Sequence, residues 1–131
     1  MDCIFCKIVA GDIPSKKIYE DDVSFAFLDL SPWQVGHALV VPKEHSVDAL
    51  ESPEILAALA PAVVEVSRMA KERLGAAAIN LLSNAGEIAG QSVFHTHVHI
   101  IPRYEDSPGL DAMKGVVSEG LDVTHSRYLG N

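Results

Sequence analysis

Residues 93–102 read VFHTHVHIIP, with a histidine at every second position from residue 95 to residue 99. Successive side chains of a β-strand point to opposite faces, so an extended backbone places His95, His97 and His99 on one face. The intervening residues then form the opposite face and point toward a core: Phe94, Thr96, Val98 and Ile100. We therefore expect the last strand of a sheet here, with a row of imidazoles along one side.

Four other segments have the apolar pattern and the flanking turn residues of strands. KKIYEDD and VSFAFLD (residues 16–22 and 23–29) predict two strands joined by an acidic turn. HALVVP and AAINLLS (residues 37–42 and 77–83) predict two more. Together with the histidine segment, they predict an antiparallel sheet of about five strands.

One long helix is predicted from Pro53 to Leu74, where apolar residues recur at helical spacing. Ser52 is a good N-cap, and Gly75 is a plausible C-terminal stop. Pro61 conflicts with an unbroken helix, so we expect a kink or a boundary near Ala60.

A second, short helix is predicted over residues 3–10. The elements together predict an α+β fold in which the helices pack against one face of the sheet. Residues 104–131 are weakly patterned, so they are expected to form a C-terminal extension of uncertain structure.

The composition restricts the class of protein. The chain has 131 residues, 48% hydrophobic and 21% charged, which is typical of one globular domain over residues 1–131. Its formal net charge of −8 argues against nucleic-acid binding, which takes clustered Lys and Arg. No apolar run approaches the ~20 residues that span a membrane, and the N-terminus does not resemble a signal peptide. We expect a cytoplasmic protein.

Three interpretations of the alternating histidines are open. The first is a solvated polar face on which the histidines are incidental, although the adjacent glycine-rich loop NAGEIAGQS (residues 84–92) makes a site more plausible. The second is one metal ion bound by all three, which needs a bend because the outer two are ~13 Å apart along a strand. The third gives each imidazole its own role: one attacks phosphorus while its neighbours bind the phosphate oxygens.

The N-terminal CIFC contains Cys3 and Cys6 in Cys-x-x-Cys spacing, which occurs in zinc sites and in redox pairs. A redox pair would follow a strand, and only two residues precede this one. A zinc site needs two more ligands, for which His45 and His95 are candidates. Alternatively, both cysteines are unpaired and act as small hydrophobes. We favour a zinc site, because two cysteines and two histidines are available as ligands.

The run HTHVHII fits the His-x-His-x-His-x-x pattern of the histidine triad (HIT) superfamily, with Thr96 less apolar than the pattern expects. Three longer segments also resemble the Hint-like branch of that superfamily, in its bacterial zinc-containing type. They are FCKIVAGDIPSKKIYEDD, FAFLDLSPWQVGHALVVPKEH and NAGEIAGQSVFHTHVHIIPR (residues 5–22, 25–45 and 84–103). The resemblance covers most of the chain up to Arg103.

This resemblance implies a nucleotidyl hydrolase or transferase that cleaves derivatives of a purine nucleoside monophosphate, such as phosphoramidates. His97 would be the nucleophile, forming a nucleotidyl-histidine, and His99 would bind the phosphate oxygens. The remaining matches to catalytic and phosphate-side positions are His95, Ser92, Gln91, Asn84 and His37. The family's zinc is structural, with the first triad histidine among its ligands.

The resemblance also implies a nucleoside pocket and a partner. Asp29 matches the ribose-binding acid, although a surface turn is another explanation for an aspartate there. The clamp on the base would consist of Phe5, Ile8, Phe27 and Leu30. Hint-like proteins are homodimers, so a homodimer is expected. Alternatives are a dinucleoside polyphosphate hydrolase, a nucleotide-binding regulatory protein with residual catalysis, and a hydrolase dependent on triad-bound zinc.

Overall fold

The structure is a computed structural model that describes residues 2–131. Its centre is a five-stranded antiparallel sheet, as the sequence predicts. The strands are β1 (Lys17–Glu20), β2 (Ser24–Leu28), β3 (Ala38–Pro42), β4 (Ala78–Leu82) and β5 (Val98–Arg103). They lie in the order β1-β2-β3-β5-β4 across the sheet. β5 therefore lies inside the sheet, and β4 forms one of its edges.

Within the described residues, four α-helices accompany the sheet: α1 (Ile4–Ala10), α2 (Pro53–Ala58), α3 (Ala60–Leu74) and α4 (Leu121–Tyr128). The predicted long helix starts at Pro53, where the Ser52 hydroxyl accepts a hydrogen bond from the Ile55 N–H, and it ends at Gly75 in the left-handed conformation. It is divided at Leu59, which confirms the break predicted from Pro61. No helix within residues 2–131 is long and apolar enough to cross a membrane.

The two faces of the sheet bury different clusters. On one face, α3 contributes Val66 and Leu74 to a cluster that includes Val98 and Ile100 of β5. On the other face, α1 packs its Phe5 and Ile8 in a cluster with residues of β2 and β3: Phe25, Phe27, Leu39 and Val41. The expectation that all helices lie against one face was therefore wrong, because α1 has an apolar side of its own to bury.

The histidine segment departs from the prediction of one continuous strand. β5 begins only at Val98, and Phe94 is 46% exposed instead of facing the core. The backbone of residues 93–97 is held differently: the Thr96 N–H donates to the Ser46 carbonyl at 2.7 Å, outside the sheet ladder. An alternating pattern indicates an extended chain, but it does not reveal whether that chain pairs with a strand.

The C-terminal extension contains the helix α4, which packs on α3 and β1. Tyr128 is completely buried in the α3-side cluster, and its hydroxyl donates to the Gly36 carbonyl at 2.8 Å. Only Thr124 and Tyr128 are buried along this helix, so its sequence carries no apolar stripe. That explains why the pattern did not predict it.

Candidate active site

A cavity of about 450 Å³ lies between α1 and the adjacent face of the sheet. Its apolar lining includes the predicted base clamp: Phe5, Ile8, Phe27 and Leu30. Its polar lining includes the other predicted groups that reach it: Asp29, Asn84, Ser92, His97 and His99. Phe27 also belongs to the α1-side cluster, so it serves both as core and as cavity wall.

His97 has one ring nitrogen committed to the backbone. Its Nδ1 lies 2.7 Å from the carbonyl oxygen of His95, which can only accept, so we assign the proton to Nδ1. In the neutral ring, Nε2 then carries a free lone pair. Burial lowers the pKa of His97, while the hydrogen bond to the His95 carbonyl and the charge of Asp29 oppose that shift. A buried neutral imidazole that lines a cavity has the form needed for nucleophilic attack.

His99 is oriented through His37, which immediately precedes the neighbouring strand β3. The Trp33 N–H donates to His37 Nδ1 at 3.0 Å, so His37 is protonated on Nε2. That nitrogen lies 2.9 Å from His99 Nδ1, which therefore accepts. His99 is left with its proton on Nε2, where it can donate a hydrogen bond to a ligand.

The environment of these rings favours their neutral forms. Burial, followed by the neighbouring His37 and His97, lowers the pKa of His99 to about 4. Burial also lowers the pKa of His37, against the opposing charge of Asp29. The Asp29 carboxylate lies 3.7 Å from His37 Nε2 and accepts a hydrogen bond from the Ser31 N–H at 2.8 Å.

Gln91 does not lie in the cavity, contrary to the expectation that it contacts phosphate. Its side-chain oxygen accepts from the Gly86 N–H at 2.8 Å, and its amide nitrogen donates to the carbonyls of Val47 and Val93. The side chain is buried, and these three bonds fix the glycine-rich loop. Gln91 therefore positions the loop that brings Ser92 to the cavity.

His95 does not line the cavity and belongs to a separate cluster with Cys3, Cys6 and His45. One potential ligand atom from each residue lies within 4.8 Å of all the others. His95 Nδ1 is 3.3 Å from Cys3 Sγ, 3.5 Å from Cys6 Sγ and 3.1 Å from His45 Nδ1. A tetrahedral zinc site with two sulfur and two nitrogen ligands has edges of about 3.3–3.8 Å.

The orientation of His95 also suits a metal ligand. Its Nε2 lies 2.8 Å from the Pro42 carbonyl and donates to it, so Nδ1 is free to coordinate. The four residues could therefore hold a metal ion. Within the described part of the chain, His95, His97 and His99 form no common ligand group, so the geometry does not support one ion bound by the triad.

Trp33 is a site residue that the sequence reasoning missed. Its ring stacks on His99 with centroids 6.0 Å apart and 13° between planes, and it meets His37 edge-on at 5.5 Å. It also lines the cavity. A lone tryptophan in the loop SPWQVG, directly before His37, was the signal that could have found it.

Comparison with known proteins identifies the family. The model of the HIT domain family matches residues 10–106, and the chain belongs to that family. Protein hit of Bacillus subtilis (strain 168) is 48% identical over 113 residues, which cover 86% of this chain and 78% of that protein. The adenosine 5'-monophosphoramidase hnt1 of Schizosaccharomyces pombe (strain 972) is 48% identical over 111 residues, covering 84% and 80%.

Solved structures agree with the fold. A Zn-bound histidine triad family protein from Mycobacterium smegmatis superposes with a TM-score of 0.88 at 36% identity. The match covers 99% of this chain and 92% of that one. The predicted Hint-like resemblance and the α+β fold are thus confirmed.

Proposed function

We propose that the protein is a nucleotidyl hydrolase or transferase that cleaves purine nucleoside 5'-phosphoramidates at the α-phosphorus. The observation that carries this proposal is the commitment of His97 Nδ1 to the His95 carbonyl, which leaves Nε2 as a free nucleophile in the cavity wall. The similarity to an adenosine 5'-monophosphoramidase supports the same class of substrate.

The reaction takes two steps. His97 Nε2 forms a bond to phosphorus while the bond from phosphorus to the leaving group breaks. The leaving amine departs with that electron pair and takes a proton from water. In the second step a water oxygen bonds to phosphorus while the bond from phosphorus to His97 Nε2 breaks and returns its electron pair to Nε2. The attacking water gives a proton to the hydroxide left by the first step, and the nucleoside monophosphate is released. In both steps the Nε2–H of His99 and the Ser92 hydroxyl donate hydrogen bonds to phosphate oxygens, on which negative charge accumulates.

The cavity offers a place for each part of the nucleotide. Asp29, which follows β2, has one carboxylate that can accept from both ribose hydroxyls. The base would lie against the apolar wall that Phe5 and Phe27 form, where their rings meet edge to face with centroids 5.5 Å apart. Apolar side chains make no hydrogen bonds that would distinguish one purine base from another, so we expect the preference between purines to be weak.

We assign a structural zinc ion to Cys3, Cys6, His45 and His95. This choice is supported by the donor set, by four distances of 3.1–3.5 Å between potential ligand atoms, close to the edges of a tetrahedral zinc site, and by the zinc-bound relative. Such an ion would tether α1 to the histidine segment, and no step of the reaction passes through it. Both cysteines are free thiols in the structure, consistent with the reducing cytoplasm in which we place the protein.

The edge strand β4 supports a homodimer. Its backbone edge is unpaired within the described chain, and Leu81 is 56% exposed. Pairing of β4 with a second copy would continue one sheet across both protomers and cover that apolar side chain.

His97→Ala tests the proposal. Purified protein is incubated with adenosine 5'-phosphoramidate, with a dinucleoside polyphosphate and with adenylated amines, with and without a chelator. We expect wild-type protein to hydrolyse phosphoramidates with or without the chelator, and substrate labelled in its nucleotide to leave an acid-labile label on the protein. In the variant, kcat should fall by at least about 10³-fold. Full activity of the variant contradicts the mechanism, as does activity abolished by chelation in protein that stays folded and is saturated with substrate. Nucleotide binding without any turnover favours a regulatory binding protein.

A further inference from the structure

The loop between β2 and β3 (residues 29–37) is fastened to the C-terminal segment (residues 104–128) at two adjacent positions. The N–H of Gly115 donates to the Trp33 carbonyl at 2.7 Å. The amide of Gln34, which is 7% exposed, donates to the carbonyls of Ala112 and Met113 at 3.1 and 2.6 Å. These contacts hold the part of the loop that immediately precedes His37.

The next two loop residues are fastened to the same segment. Tyr104 donates its hydroxyl hydrogen to the Val35 carbonyl at 2.8 Å, and Tyr128 donates to the Gly36 carbonyl at 2.8 Å. Four consecutive loop residues, 33 to 36, are thus hydrogen-bonded to the C-terminal segment. Hydrogen bonds at four consecutive residues restrict the conformational freedom that a loop would otherwise retain.

A hydrogen-bond chain leads from this segment to the cavity. It runs from the Gly115 N–H to the Trp33 carbonyl, from the Trp33 N–H to His37 Nδ1, and from His37 Nε2 to His99 Nδ1. The Trp33 side chain reinforces it, because the ring stacks on His99 and the Lys114 ammonium lies 4.2 Å from the ring centroid. Displacement of the C-terminal segment would therefore reach His99 in two ways, through the Trp33 backbone and His37, and through the Trp33 ring.

We propose that the C-terminal segment positions His99 for catalysis, with Gln34 as the positioning residue that fastens the loop to it. The inference rests on the proposed function, since it assigns the segment a part in that reaction. Gln34 touches no reacting atom and acts through Trp33 and His37. A residue of this kind affects the reaction rate by fixing geometry, since small misplacements of a reacting group are costly.

The test removes the hydrogen bonds of the Gln34 side chain without leaving a cavity in its place. Gln34→Met keeps the length and most of the volume of the side chain and removes both donors. Thr124→Val is the matched control, because it removes a buried side-chain hydroxyl of the same segment, bonded to Glu119, that makes no hydrogen bond to the loop. Both variants are measured for thermal unfolding, for kcat and KM on adenosine 5'-phosphoramidate, and for proton exchange at the imidazoles.

We expect Gln34→Met to lower kcat about tenfold with KM changed less than twofold, and Thr124→Val to leave both within twofold of wild type. In ¹⁵N-histidine-labelled protein without substrate, the His37 Nε2 proton should exchange with solvent about tenfold faster in Gln34→Met only. Unchanged kcat and exchange in Gln34→Met overturn the proposal. Equal losses in both variants also overturn it, because they indicate general loosening.

The exchange measurement separates this inference from the proposed function. If the wild-type protein turns over no nucleotide derivative, the proposed function fails. Faster exchange in Gln34→Met then still shows that the C-terminal segment positions the ring pair. Unchanged exchange in that case shows that it does not.

Discussion

Replacement of His99 by asparagine should flatten the pH dependence of stability. The pKa of His99 is lowered from 6.5 to about 4 in the fold, chiefly by burial. Between these two values the unfolded chain binds the proton more strongly, so the free energy of unfolding falls as the pH falls. Integration of this proton linkage gives a loss of about 2 kcal/mol between about pH 7 and pH 5. An asparagine side chain does not titrate, so the variant should lack that loss.

The free energy of unfolding of wild type and of His99→Asn is measured by urea titration at both pH values. The change between the two pH values is then compared between the two proteins. Titrating groups that do not contact His99, and any bound metal, contribute to both proteins and largely cancel in this comparison. His125→Asn is the control, since it also removes one histidine but from a half-buried position on α4, and it should behave as wild type. An equal loss of stability in His99→Asn and wild type would refute the reasoning.

Two further predictions concern the fold and the metal cluster. Gly36→Ala should lower the free energy of unfolding by about 3 kcal/mol in urea titrations, because Gly36 has φ +86° and an added Cβ would lie 2.4 Å from Leu74 Cδ1. Gly11→Ala is the control at φ +84° in open space, and its free energy of unfolding should fall by only about 1 kcal/mol. Equal losses in the two variants would show that the contact with Leu74 does not contribute. Cys6→Ser should reduce zinc content below one equivalent and lower the melting temperature by about 5 °C; unaltered zinc content would show that Cys6 is not a ligand.

The sheet and the long helix were predictable because their signals are local. A capping serine, a proline inside an apolar repeat and a glycine after it mark the limits of α2 and α3 without reference to other parts of the chain. The four-residue metal cluster was also accessible, although its members lie up to 92 positions apart. Cysteine and histidine are few in this sequence, and their chemistry restricts which of them can meet.

The rest depends on long-range packing that no local pattern specifies. Gln91 and Ser92 are adjacent polar residues of one loop, and only the fold decides that one turns inward to the backbone while the other reaches the cavity. The face chosen by α1 is equally non-local, because an apolar side on a short helix fits either side of a sheet. For Trp33, the sequence offered a large ring near a histidine but no indication that it stacks on His99.

Phe5 stands between the two cysteines in sequence, and its ring meets His95 at 5.9 Å and His97 at 5.1 Å. The short helix α1 and its N-cap therefore carry both part of the cavity wall and two of the four residues of the candidate metal site. Coupling between two binding sites is reciprocal, so a nucleotide that packs on Phe5 would strengthen ion binding by the same factor as the ion strengthens nucleotide binding. Protein without the proposed zinc ion would then bind the nucleotide more weakly, and bound nucleotide would slow the loss of the ion.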